Sequence, residues 1–191
     1  MADISITTAR KLRSTTEPVE AASAASGAAQ EPCWDLIELL FFAYRDFVGD
    51  PDEVLAKLGF GRAHHRVLHF VNRNPGIKVA DLLDILKITK QSLGRVLKQL
   101  IDQGYVVQRE GANDRRQRLL HVSPAGEALA MQLAGLQTER IARVLAELGP
   151  SAREAARRFL AGMIDADDRD HVLRLIADAD RARQRGRDRG S

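Results

Sequence analysis

Gln91, Arg95 and Lys98 lie four and three residues apart, a spacing that sets all three on one side of an α-helix. Arg and Gln carry the paired donors and acceptors that match base edges in a DNA major groove, so Gln91 and Arg95 are expected at bases. Thr89, Lys90, Ser92 and Lys98 suit phosphate and sugar, because positioning contacts outnumber base contacts in most such interfaces. A second group, Arg115, Arg116 and Arg118, stands in the run Gly111-Ala112-Asn113-Asp114-Arg115-Arg116-Gln117-Arg118. Guanidinium groups so concentrated suit the minor groove or the adjoining backbone, where negative potential collects. Asp114 would be repelled by phosphate, so its expected task is to hold an arginine in a hydrogen-bonded pair. Charged residues on a helix are usually only a solvated face, so the surrounding elements decide between the two readings.

Residues 78–123 supply those elements. Val79–Leu86 reads as a short helix, a tight turn follows, and a second helix over 88–101 opens at Thr89, whose hydroxyl can accept from the free amides of a first turn. Leu93, Val96, Leu97 and Leu100 form one apolar stripe along it, and Gln91, Gly94, Arg95 and Lys98 lie opposite. Residues 105–109 are β-branched and aromatic, and residues 118–122 can return as their antiparallel partner around the basic loop. Helix, turn, helix and cationic hairpin in that order make a winged helix-turn-helix, which points to gene regulation rather than catalysis.

Three stretches carry a more specific likeness. They are Leu82-Leu83 with Leu86-Lys87-Ile88-Thr89-Lys90-Gln91-Ser92; Leu97-Lys98-Gln99-Leu100-Ile101-Asp102-Gln103-Gly104-Tyr105-Val106; and Asp114-Arg115-Arg116 with Leu119-Leu120-His121-Val122-Ser123-Pro124-Ala125-Gly126. Over roughly residues 34–148 the chain resembles the MarR family of transcriptional regulators, and residues 62–68 and 88–93 are similar to its PetP/LdtR-like branch. The resemblance implies a homodimer on a pseudo-palindromic operator, usually a repressor, that answers to a small anionic or aromatic effector or to oxidation. It gives Gln91, Ser92 and Arg95 the groove-reading role and Arg116 the wing-tip role. Two departures matter. Lys87 stands in the turn where many members carry glycine, so either the turn is wider or Lys87 takes a strained conformation. Gly111-Ala112-Asn113 replaces a common Asp-Pro-Arg, which removes one minor-groove arginine.

Composition agrees with this reading. A chain of 191 residues with 45% apolar content suits one domain with appended elements. The net charge is only +3, yet residues 61–126 hold 12 Lys/Arg against 5 Asp/Glu, a local +7 that leaves −4 for the rest. Charge gathered on the expected binding unit is the footprint of a polyanionic partner, double-stranded DNA, and affinity for it should fall steeply with salt. One cysteine excludes an internal disulfide and fits a reducing cytoplasm, here the bacterial nucleoid. No apolar run approaches a membrane span, no signal-peptide core opens the chain, and no membrane partner is expected. No cofactor is implied.

Residues 1–32 lack aromatic side chains and read as a disordered arm. Order begins at Trp34, in a helical stretch so apolar on all sides that a partner subunit is needed to cover it. From a Ser123 cap with Pro124 behind it, a helix runs to about Leu148 and stops at Gly149-Pro150. Ser151-Ala152-Arg153-Glu154 reads as a capping box that restarts a helix to about Met163, and a last helix spans residues 169–183. The expected division is an arm to residue 32, a dimerisation region over 33–60, the DNA-binding unit over 61–126, dimerisation helices over 124–184, and a basic tail over 185–191. First and last helices meeting across a two-fold axis would set two reading helices about one DNA turn apart.

Sensing is less legible. Val67, Leu68 and Val71 form the apolar stripe of residues 62–73 with His64 at its edge, whereas His65, His69 and Asn72 project together on the other side. In folds of the resembled family that side borders a cleft, so His65, His69 and Asn72 are candidate effector residues. The two histidines are spaced to chelate, but two ligands are not a site and no metal is expected. Cys33, just ahead of the first helix, is a candidate redox thiol that a helix N-terminus would favour as thiolate, though only Glu31 and Asp35 stand beside it in sequence. An enzyme reading has no phosphate loop, nucleophile elbow or HExxH motif behind it. The competing readings are a winged-helix interaction module that selects no DNA sequence, and a thiol-based regulator working through Cys33.

Overall fold

The computed structural model describes residues 31–111 and 117–188. Among them the elements run α1 (Trp34–Ala56), α2 (Arg62–Arg73), β1 (Ile77–Lys78), α3 (Val79–Leu86), α4 (Lys90–Asp102), β2 (Val106–Glu110), β3 (Arg118–Val122), α5 (Pro124–Leu148), α6 (Ala152–Gly162) and α7 (Ala166–Asp188). The fold is mainly helical with a small antiparallel sheet, a winged helix-turn-helix flanked by helices at both ends. The expected arm falls almost wholly in residues 1–30, outside the described residues, and residues 31–33 carry no regular structure.

Local chemistry accounts for most of the boundaries. Thr89 caps α4, its Oγ1 accepting from the Ser92 amide at 3.2 Å. Ser123 caps α5 by accepting from the Gly126 amide at 3.0 Å, with Pro124 at a position where no amide is missed. Lys87 ends α3 in the left-handed region, φ 51° and ψ 43°, the strained alternative foreseen for a lysine in a glycine position.

Four expectations need correction. The wing is not a lone hairpin: β1 joins it to give the order β1-β3-β2, with Ile77 opposite Leu120 and Glu110 opposite Arg118. Strand β2 starts one residue late because the Tyr105 amide donates to the Leu100 carbonyl at 2.8 Å, closing α4 instead. The Ser151 capping box does not form. After the left-handed Gly149 the chain turns so tightly that Ser151 already has helical dihedrals, φ −79° and ψ −14°, and its hydroxyl makes no cap bond. Helix α7 also outruns its expected span at both ends, so the basic tail expected from residue 185 is helical to Asp188.

Leu55, Leu68, Leu82, Leu93, Leu100, Leu120 and Leu133 are fully buried, so the end of α1, α2, α3, α4, β3 and α5 share one core beneath the helix-turn-helix. The first turns of α1 lie outside it: Trp34 is 64% and Phe41 70% exposed, and Leu39 and Phe42 are similarly open. Phe159 and Leu160 of α6 and Met163 just beyond it are exposed as well. Helix α7 turns back against its own helix-turn-helix. Ala179 is buried there, Arg73 meets Asp180 at 2.5 Å, and Lys87 meets Asp168 at 3.6 Å. Among the described residues, no helix is long and apolar enough to cross a membrane.

Candidate nucleic-acid interface

Helix α4 divides along its length as its pattern dictates. Leu93, Val96, Leu97 and Leu100 are buried, while Lys90, Gln91, Gly94, Arg95 and Lys98 are exposed. Among the described residues no ion pair or side-chain hydrogen bond holds Gln91 or Arg95, so both donor sets point to solvent uncommitted. Lys98 is tied to Asp102 one turn on, at 2.5 Å, but this exposed pair costs little to break. The Thr89 hydroxyl donates to Ser92 Oγ at 3.0 Å while accepting the Ser92 amide, so these two side chains fix the start of the helix.

The wing is described only at its base. Arg118 sits opposite Glu110 and pairs with it at 3.4 Å across the strands. Asp114, Arg115 and Arg116 lie outside the described residues. Arg109, exposed on β2, is a cation the sequence reading passed over.

Behind α4, α2 is pinned by His64. Its Nδ1 accepts the Gly61 amide at 3.1 Å, which leaves Nε2 to donate to Gln99 of α4 at 2.6 Å, and its ring stacks on Phe60 at 4.7 Å. This histidine is structural.

The structure separates the three candidate effector residues. His65 and His69 line a cavity of about 300 Å³ with Tyr44, Phe47 and Val48 of α1, Arg66 and Phe70 of α2 and Gln137 of α5. Asn72, one turn along, opens instead on a depression with Glu127, Met131 and Arg183. The helical wheel placed Asn72 correctly by angle, but α1 covers only the first half of that face. Burial lowers the pKa of His65, partly opposed by Asp52. Burial, then His65 and Arg73, push His69 down to about 4. His69 is nonetheless exposed on its outer side, and the lowered pKa leaves its ring neutral at neutral pH. A larger cavity of about 590 Å³ lies between α7 and the α2–α3 side, lined by Pro75, Ile77, Ile85, Leu175 and charged groups of both signs. It is remote from the polar side of α4.

Arg66 was not singled out from sequence. Its Nη2 donates to the Leu86 carbonyl at 2.9 Å, a long-range bond that no local pattern announces. Cys33 stands exposed at the head of α1 with its carbonyl accepting the Ile37 amide at 3.0 Å, and it makes no side-chain cap. Among the described residues, no group of three His, Cys, Asp or Glu side chains is placed to hold a metal ion.

These features define a winged-helix protein of the kind that presents one helix outward beside a strand pair. The sequence pattern described as "MarR family" matches residues 58–117. The chain is 44% identical over 144 residues to the HTH-type transcriptional regulator PetP of Rhodobacter capsulatus, covering 75% of this chain and 86% of PetP. It is 30% identical over 104 residues to an HTH-type transcriptional repressor of Mycobacterium tuberculosis, covering 54% of this chain and 75% of the repressor. Streptococcus pneumoniae FabT, solved in complex with DNA, has the same fold with a TM-score of 0.61 at 13% identity, over 68% of this chain and 93% of FabT. The chain belongs to the MarR family of transcriptional regulators.

Proposed function

We propose that the chain is a sequence-specific double-stranded-DNA regulator, a repressor in its usual mode, that works as a homodimer on a pseudo-palindromic operator. One observation carries this reading: the apolar side of α4 is buried in its own core while the polar side, with Gln91 and Arg95, is exposed among the described residues. Gln91 and Arg95 read base edges, Thr89, Lys90, Ser92 and Lys98 hold phosphate and sugar, and Arg115, Arg116 and Arg118 grip alongside from the wing. A second copy covers the exposed Trp34, Phe41 and Phe42 of α1 and Phe159 and Leu160 of α6, apolar surface that a soluble monomer rarely leaves open. The cavity around His65 and His69 admits a small effector.

Titrating purified protein against a randomised duplex pool, followed by native mass spectrometry of the selected complex, tests the reading. Two protomers on one duplex with half-sites one helical turn apart are expected. Arg95→Ala should lower affinity about 5- to 150-fold per half-site, the worth of one bidentate base contact, and leave the dimer intact. A pool that yields no preferred duplex would leave the interaction-module reading in its place.

A further inference from the structure

We propose that the hollow between α4 and β2 is a seat for one phosphodiester of the duplex backbone, that Gly94 carries no side chain so that the backbone strand can enter it, and that Asp102 holds Lys98 at its rim until the phosphate displaces the carboxylate. The inference rests on the proposed DNA-reading role of α4 and adds to it Gly94, Asp102 and Gln108, which that role leaves unused.

The hollow encloses about 400 Å³ beside the polar side of α4. Its floor is apolar: Leu97 is buried, and Val79 and Ile101 are half-buried. Its rim is Lys90, Lys98 and Asp102 of α4 and Gln108 of β2, all exposed, with Gly94 among them. A helix lying in a major groove and a strand pair reaching the neighbouring minor groove must straddle the sugar–phosphate strand that separates those grooves. Gln108 stands on the strand that leads to the wing, so the straddled backbone crosses this hollow. The ammonium groups of Lys90 and Lys98 and the amide of Gln108 supply donors for phosphate oxygens, and the floor supplies an apolar surface for the C–H side of a deoxyribose.

Two residues of the hollow are poor choices for the helix that carries them. Gly94 lies in the middle of α4, where glycine is less favourable than alanine. Packing does not call for it, because a Cβ built there meets nothing within 4 Å among the described residues. A missing methyl at an exposed helix position instead lets another backbone come close. Asp102 is the last residue of α4, where a carboxylate meets the negative end of the helix dipole, and it follows Lys98 by four residues, the less favourable order for such a pair. It nevertheless accepts from Lys98 Nζ at 2.5 Å. Both partners are exposed, so an arriving phosphate takes the ammonium at little cost. The carboxylate therefore keeps Lys98 at the rim in the free protein and stands where the phosphate is to go.

The test uses the full-length protein and the duplex it selects, with single methylphosphonate substitutions that remove one backbone charge at a time. In the parent, one substitution per half-site, between the major groove read by α4 and the minor groove beside the wing, should weaken binding about tenfold, the worth of one charge-assisted bond. Gly94→Ala should melt at or above the parent, bind the unmodified duplex about tenfold more weakly whatever the base sequence, and lose its response to that one methylphosphonate. Asp102→Asn should bind about 1.5- to 5-fold more tightly, the worth of an exposed ion pair no longer broken on binding, and this gain should vanish when Lys98→Met is added. Gly94→Ala that binds as the parent does, or that responds to every methylphosphonate as the parent does, overturns the seat. A Gly94→Ala loss confined to one base position makes the residue a base contact and also overturns it. Asp102→Asn that gains nothing, or gains equally without Lys98, overturns the displacement. A parent that selects no duplex refutes the DNA reading itself, whereas a parent that selects one and shows no responsive phosphate between the two grooves refutes the seat alone.

Discussion

Replacing Gly126 with alanine should be among the most destabilising single-methyl changes available to this chain. Gly126 is the third residue of α5, buried, and its amide is held by the Ser123 hydroxyl. A Cβ built there would stand 2.0 Å from the Tyr105 carbonyl oxygen and 2.9 Å from its carbon, both backbone atoms that no rotamer change can move. The helix start must therefore lift by more than an ångström. That displacement strains the Ser123 amide bond to Tyr105, 3.0 Å, and the Ser123 hydroxyl bond to Gly104, 2.6 Å. Overpacking costs about 1–3 kcal/mol, two weakened hydrogen bonds add about 1–2 kcal/mol, and the helical preference for alanine returns about 0.5–1 kcal/mol. The net is a loss of about 2–4 kcal/mol, or roughly 5–15 °C in melting temperature for a chain of this size. Gly94→Ala is the control, because a Cβ there meets nothing within 4 Å. It should gain about 0.5–1 kcal/mol from helix preference alone, while placing a methyl on the face proposed to read DNA. Thermal unfolding followed by circular dichroism on both variants is sufficient. Gly126→Ala melting at or above the parent, or Gly94→Ala losing as much as Gly126→Ala, would refute the reasoning.

Three further outcomes follow from the same structure. Lys87→Gly should stabilise the fold by about 1 kcal/mol, because it relieves a left-handed residue and gives up only the exposed pair with Asp168; urea midpoints read it. Thr89→Ala should cost about 1 kcal/mol through the lost cap and speed exchange of the Ser92 amide. Acidification from pH 7 through the ordinary histidine range should destabilise the protein: His69 and His65 both titrate below that range when folded, so the unfolded chain takes up these protons first. Stability is present above the ordinary histidine pKa and lost as pH falls toward the folded value. His69→Gln should flatten that loss in pH-dependent denaturant titrations.

The parts of this fold that were legible in sequence are those whose signal is local. Thr89 before an amphipathic run and Ser123-Pro124 before another each specify a helix start within a residue or two, and both starts are found there. What was illegible depends on partners distant in sequence. Strand β1 is two residues long and exists because Ile77 and Lys78 meet Leu120 and Leu119. The Ser151 box matched its pattern, yet the turn at Gly149 had already set the backbone. Asn72 shares a helix face with His65 and His69, but a cavity is closed by whatever packs over the face, and α1 stops short of it. Arg66 was invisible for the same reason: its partner is a carbonyl 20 residues away, and carbonyls leave no mark in a sequence.

The α3–α4 turn is where these distant contacts converge. Arg66 of α2 holds the Leu86 carbonyl from one side, Asp168 of α7 reaches Lys87 from another, and Lys87 itself is strained. Helix α4 has only its own cap, at Thr89, to set its start from within. On the proposed reading, the residues that place the helix are thus different from those that read with it, and the two sets should fail differently. Changing Arg66 or Asp168 should weaken binding to all duplexes alike, since it shifts the whole helix. Changing Gln91 or Arg95 should instead relax the preference at one base position, about 1–3 kcal/mol for a bidentate contact. Ranking a panel of single-base operator variants against each substitution separates the two. Should Arg66→Lys reorder that ranking as Arg95→Ala does, positioning and reading would not be separable in this head, and the turn would have to be counted among the groups that choose the sequence.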